Sequence, residues 1–190
     1  MLSDGAAATL LQDKPNKDSV SLRIDWIDIK SYANELKTCM YAGCLRDDDN
    51  NVRGWREIST EEQNKSSVFS LKQDARLLQK NIIEAGIRHL IEIKEKKDIK
   101  PENIDWFLPH LSSMFFKDVA AEKLRSVGLE ISEEKWFLNL PRIGNVGAAS
   151  AYLMLEELFN GDKFKKGQRI LVMVPESARF SSTYMHLTVV

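Results

Sequence analysis

The sequence predicts an α/β fold: a layered, mixed five-stranded sheet with helices on both faces. Three observations carry this. From residue 19 onward the periodicities run strand, long loop, helix, strand, helix, strand, helix, strand, strand, and strands alternating with helices make a mainly parallel, doubly covered sheet. The run Arg169-Ile170-Leu171-Val172-Met173-Val174 is apolar almost throughout, as befits a strand buried on both faces. Only Pro175 to Arg179 join it to the last strand, and so short a link favours an antiparallel pair.

Residues 1–18 open with a small apolar, strand-like run at 6–11 that has no preceding element to pair with. This predicts that a segment upstream has been cut away. Residues 19–32 alternate through Val20, Leu22, Ile24 and Trp26, then Ile27 and Ile29, which predicts a strand with a change of phase near Trp26. Residues 33–66 hold Gly43, Gly54 and Asp47-Asp48-Asp49-Asn50-Asn51 and read as a long irregular excursion. A helix is predicted over 67–96, with Leu71, Ala75, Leu78, Ile82, Ala85, His89 and Ile93 on one face. A strand follows at 104–108, then a helix over 112–127 stopped by Gly128, and a short strand at 136–138. A third helix spans 146–160 before the closing strands at 169–174 and 180–190.

Composition narrows the function. The chain has 190 residues, 43% hydrophobic and 29% charged, with a formal net charge of -1. Such a balance offers no overall field for nucleic acid or an anionic membrane. The local basic cluster Lys163, Lys165, Lys166 and Arg169 reads as a solvated loop. No apolar run approaches the roughly 20 residues of a membrane span, and the start lacks an export signal. Cys39 and Cys44, with His89, His110 and His186 widely scattered, form no metal motif. Two cysteines in a chain of this size fit a reducing cytoplasm.

Three segments carry chemistry. Asp105-Trp106-Phe107-Leu108-Pro109-His110 places a histidine directly after a strand, at the edge where open α/β sheets bind ligands. Its imidazole serves either acid-base chemistry or a backbone carbonyl. Arg142-Ile143-Gly144-Asn145-Val146-Gly147-Ala148-Ala149-Ser150 sets Asn145 at a helix start, either as an N-cap or as an amide donor into a site. Val174-Pro175-Glu176-Ser177-Ala178-Arg179-Phe180 is either a plain hairpin turn or a loop whose N–H groups bind an oxyanion.

Taken in order, these segments resemble β-ketoacyl-acyl-carrier-protein synthase III, a condensing acyltransferase of the thiolase superfamily. The opening Ser3-Asp4-Gly5-Ala6-Ala7-Ala8 resembles the last strand of that family's first half, and Val68-Phe69 fits as well. The resemblance implies that 1–18 end a truncated N-terminal thiolase half and that 19–190 form the C-terminal half. It implies a Cys-His-Asn catalytic set, in which His110 and Asn145 match the last two members. The nucleophilic Cys would lie upstream of this chain, with Cys39 and Cys44 structural, so that the chain alone is inactive. Ala178 is implied as the oxyanion donor, with Ser177 and Ser113 as further oxyanion or substrate-binding candidates.

The implied reaction is decarboxylative Claisen condensation of an acyl thioester with a malonyl thioester. No cofactor is implied. Acyl-CoA and acyl-carrier-protein thioesters are the substrates, and the implied partners are carrier protein, the missing N-terminal half and a second copy in a cytoplasmic homodimer. The sequence departs from the family pattern in three places. His110-Leu111-Ser112-Ser113 replaces His-Gln-Ala-Asn, Phe115 or Phe116 stands where an arginine often binds carrier phosphates, and Ser177-Ala178-Arg179 replaces a glycine-rich turn. These changes point to a divergent subgroup making a secondary metabolite or a resorcinol-type lipid. Two other readings stay open: another thiolase-fold synthase, of hydroxymethylglutaryl-CoA or polyketide type, and a non-catalytic thiolase-like module that binds a partner or holds a dimer.

Overall fold

A computed structural model describes residues 2–190. Its centre is a four-stranded mixed sheet of β1 (Leu22–Ser31), β6 (Trp106–Pro109), β7 (Arg169–Glu176) and β8 (Ser181–Val189) in the order β1-β8-β7-β6. β6 and β7 are parallel, and β8 is antiparallel to both β7 and β1. The fifth strand, expected at 136–138, is reduced to one parallel bridge, Phe107 to Trp136, beside β6. Phe137 N–H adds a bond to Phe107 C=O at 2.9 Å. A fifth position therefore exists at the β6 edge, but it is too short to count as a strand.

The sheet is covered on both faces, as its apolar run demands. On β7, Leu171 and Met173 enter one core with helices α2 (Ala75–Lys97) and α3 (Phe115–Ser126), while Ile170 and Val172 enter a second core with α5 (Ala149–Asn160). The alternation follows from the two-residue period of a strand. α3 ends as the sequence predicts. Gly128 takes φ +67 after the last turn, its N–H bonds Arg125 C=O, and Leu129 N–H bonds Leu124 C=O at 2.9 Å, the paired closure that a left-handed glycine permits.

Several expectations are corrected. The strand in 6–11 does not form. Residues 2–18 carry no strand and are exposed, since a strand without a neighbour leaves its backbone groups unpaired. The excursion is not wholly irregular. Two short ribbons, β2 (Met40–Tyr41) with β5 (Lys72–Gln73) and β3 (Cys44–Arg46) with β4 (Val52–Gly54), flank a short helix α1 (Thr60–Ser66). Consequently the long helix begins at Ala75 rather than 67, where the Asp74 side chain accepts Leu77 N–H at 2.9 Å. Leu71, assigned to its buried face, is exposed instead. The third helix begins at Ala149 rather than 146, because Gly144 and Gly147 take positive φ values of 78 and 57 that a helix cannot hold.

Beyond its backbone ladder to β8, the edge strand β1 is fastened by polar side-chain pairs. The change of phase near Trp26 is a bulge between Ile24 and Trp26, which frees Asp25 to turn toward β8. Its carboxylate accepts His186 Nδ1–H at 2.8 Å, Thr188 Oγ1–H at 2.6 Å and Arg23 Nε–H at 2.7 Å. Partial burial alone would raise the Asp25 carboxyl, but the bonds from Thr188, Arg23 and His186 outweigh it and hold the group below its ordinary value. Farther along, Asp28 Oδ1 meets His89 Nε2 at 2.9 Å, and His89 Nδ1 meets Ser182 Oγ at 2.8 Å. His89 thus ties α2 to two strands, with Tyr184 edge-on against its ring.

Because His89 and Ser182 are both buried, removing the imidazole strands polar atoms away from water. His89→Ala should destabilise the chain by about 2–4 kcal/mol, read as a lower urea midpoint with an unchanged slope.

Candidate active site

His110 stands one residue beyond β6. The ladder ends with Pro109 opposite Met173, and His110 N–H then donates to Met173 C=O at 2.7 Å. The bond fixes the backbone at the carboxyl edge of the parallel pair, where such sheets bind ligands. The His110 side chain is buried, and burial holds its imidazole below the ordinary value. The ring is therefore neutral at pH 7, able to donate from one nitrogen and accept at the other. Beside it is a very small cavity of about 10 Å³, lined by Pro109, His110, Leu138, Asn139, Ser150 and Met154, among others.

Asn145 lies in the loop between the short helix α4 (Leu140–Ile143) and α5, the helix that sends Ser150 into this cavity. Asn145 itself is not among the lining residues. It does not cap α5 either: that position is Ala148, with no side-chain bond. Instead Asn145 Oδ1 accepts Gly147 N–H at 3.2 Å, and Asn145 C=O accepts Ser3 N–H at 2.7 Å. Two motifs distant in sequence thus meet in space. Gly144, at φ 78 and ψ -174, occupies backbone territory that only glycine holds at ease. A Cβ there would stand 2.2 Å from Ser3 Oγ, and one at Gly5 would stand 2.7 Å from Val146 Cβ.

The other candidates sit apart from the His110 cavity. Ser113 is exposed and opens α3, with its Oγ accepting Phe115 N–H at 3.3 Å. Ser177 and Ala178 lie in the turn between β7 and β8, where Ala178 N–H donates to the Glu176 carboxylate. Phe115 is exposed and Phe116 buried, so of the two aromatics near the start of α3 only Phe115 faces solvent. The basic cluster of Lys163, Lys165, Lys166 and Arg169 is exposed near the start of β7, at the opposite end of that strand from Met173.

Cys44 lies half-buried in β3, and Cys39 is not placed as a nucleophile. Cys39 is buried, its Sγ–H points to Asp74 C=O at 3.3 Å, and burial pushes its thiol up to about 11. A nucleophilic cysteine requires the opposite shift. Among the described residues no group of three or more His, Cys, Asp and Glu side chains is arranged to hold a metal ion, and no helix is long and apolar enough to cross a membrane.

Two features lay beyond sequence reasoning. Asn139 joins the His110 cavity and donates from Nδ2 to Glu157 Oε2 at 3.2 Å, but nothing in Leu138-Asn139-Leu140 marks it. Ser182, His89 and Asp28 have the atom types of a hydrolase relay. Their residues come from β8, α2 and β1, so no sequence spacing could reveal them. Ser182 is 2% exposed, which denies it a substrate and makes the constellation a structural tie.

Comparison with known proteins points to one family. Residues 94–174 match the family described as 3-oxoacyl-[acyl-carrier-protein (ACP)] synthase III C terminal. The chain is 25% identical over 173 residues to a β-ketoacyl-[acyl-carrier-protein] synthase III of Clostridium perfringens, covering 91% of this chain and 48% of that protein. It is 30% identical over 103 residues to the synthase III of Clostridium novyi, covering 54% of this chain and 30% of the relative. The crystal structure of a synthase III from Thermus thermophilus superposes with a TM-score of 0.65 at 21% identity, covering 92% of this chain and 48% of that one. The fold is therefore thiolase-like. The chain spans about half, or less, of the length of these relatives.

Two outcomes follow from the burial of these groups. The folded chain resists protonation at His110, while the unfolded chain takes up that proton near about pH 6.5. The stability due to a neutral His110 is full above that value and is lost as pH falls toward the lower folded value. Between about pH 7.5 and about pH 5.5, urea titrations should show wild type losing more stability than His110→Gln. Separately, Cys39 should resist a disulfide reagent in the native chain and react once the chain is unfolded; rapid native labelling at Cys39 would contradict its placement.

Proposed function

This chain matches the C-terminal part of the β-ketoacyl-acyl-carrier-protein synthase III family, and we propose that it supplies the decarboxylating residues of a condensing acyltransferase. In this reading residues 1–18 end a first thiolase half and 19–190 form the second. The whole enzyme performs a decarboxylative Claisen condensation in fatty-acid or related lipid and polyketide synthesis. Its substrates are acyl and malonyl thioesters of coenzyme A or acyl carrier protein, and no further cofactor takes part. The first half, which carries the nucleophilic cysteine, covers the apolar outward side of β1, where Ile27 and Ile29 are exposed. The assembled enzyme is a cytoplasmic homodimer.

The observation that carries the reading is a buried, neutral imidazole at the carboxyl end of β6, lining one cavity with Ser150 from the first turn of α5. An acyl group first moves from its thioester to the cysteine thiolate of the other half. The malonyl thioester then binds, with its thioester carbonyl toward His110 and Asn145. Both side chains donate N–H bonds to that oxygen as the carbon–carbon bond to the carboxylate breaks and carbon dioxide leaves. The electron pair spreads onto the oxygen as an enolate, and two neutral donors stabilise it without protonating the carbon. The enolate carbon attacks the acyl-cysteine carbonyl, whose developing oxyanion is bound by Ala178 N–H. Collapse returns the thiolate and releases the β-ketoacyl thioester. Asn145 Oδ1 already accepts Gly147 N–H, and the Nδ2 donors of the same amide are the ones this step uses.

In the full-length enzyme, His110→Ala and Asn145→Ala should each lower carbon dioxide release from malonyl thioester by about 10²- to 10³-fold. Radiolabelled acyl transfer to the cysteine should survive in both. Unchanged decarboxylation in either variant would refute the role given to that residue.

A further inference from the structure

The turn from β7 to β8 gathers three hydrogen-bond donors on one carboxylate. Glu176, the last residue of β7, folds its side chain back over residues 177–180. Ala178 N–H donates to Oε1, while Arg179 N–H at 3.1 Å and Ser181 Oγ–H at 3.0 Å donate to Oε2. Glu176 and Ser181 face each other across the last ladder pair, so both ends of the turn are fixed by the sheet.

The far side of the turn is anchored as well. Ala178 C=O accepts Cys39 N–H at 2.8 Å, and Phe180 C=O accepts Tyr32 N–H at 3.1 Å. Phe180 is fully buried and held at φ 54. With these two carbonyls held from outside the turn, rotation of its backbone is restricted. The Glu176 side chain itself stands on the exposed surface. Successive backbone N–H groups of this kind make a concave anion site, and an ionised acceptor strengthens each bond.

We infer that residues 176–181 form an anion cradle suited to a small carboxylate or an oxyanion, and that Glu176 is its internal occupant, which an incoming anion must displace. The cradle stands on the hydrogen bonds alone. Its meaning as a gate on the reaction rests on the reading of Ala178 as an oxyanion donor, under which Glu176 competes with the acyl oxygen for that N–H.

The test uses this chain with sodium acetate as the probe. In Glu176→Ala the three donors lose their partner, and acetate should bind saturably. The amide resonances of Ala178 and Arg179 should shift, and the thermal midpoint should rise relative to sodium chloride at equal ionic strength. Apparent acetate affinity should exceed that of wild type by about tenfold or more, since displacing Glu176 breaks charge-assisted bonds. Glu176→Gln keeps the bulk of the side chain and should respond in the same direction but less; it decides the matter if the alanine variant does not fold. The cradle is overturned if acetate acts no differently from chloride on the folded variant, or if wild type responds as strongly. None of these readouts needs turnover, so they fail or succeed apart from the His110 and Asn145 variants. If acetate binds but full-length Glu176→Gln condenses at the wild-type rate, the cradle stands and the gate falls.

Discussion

The parallel pairing of β6 with β7 is the constraint on which the rest depends. β6 has only four residues, yet its register against β7 sets the end of the strand at Pro109 and delivers His110 N–H to Met173 C=O. The same alternation sends Phe107 to the α2–α3 face and Leu108 to the α5 face. A slip of one residue would exchange those faces and withdraw His110 from the edge. Packing in two cores and the placement of one imidazole are therefore the same geometric fact. Burial of that imidazole follows, and with burial comes the neutral state that the proposed chemistry uses.

β1 is held by a different economy of forces. It contributes little to either core, and carboxylates on its length reach across to histidines on α2 and β8. Such bonds fix direction and register more sharply than apolar contact does. They also leave the opposite side of the strand apolar and open. A strand fastened on one side by polar ties and bare on the other can receive a further layer without first releasing anything.

The sheet was largely legible because its signals are local. The apolar run of β7, the short link to β8 and the phase change at Trp26 each have a direct counterpart in the fold. Misread boundaries arose where capping overrode periodicity. Asp74 started α2 later than the apolar pattern implied, and paired left-handed glycines delayed α5. The candidate site was legible only in part. His110 lies where its position after a strand places it, but Asn139 and Ser150 entered its cavity through tertiary contact, and Asn145 rests beside that cavity on a bond to Gly147. The capture of Ala178 N–H by Glu176 depends on a side-chain rotamer, which neither composition nor spacing encodes.

The close approach of Ser3 to Gly144 has a practical side. Any segment joined ahead of Ser3 would feed directly into the stretch that rests against the Asn145 loop. A bulky or charged leader there would pull on the loop backbone through the bond from Ser3 N–H. Purification handles on this chain are better spaced by a flexible leader, or removed, before any ligand measurement at that edge is interpreted.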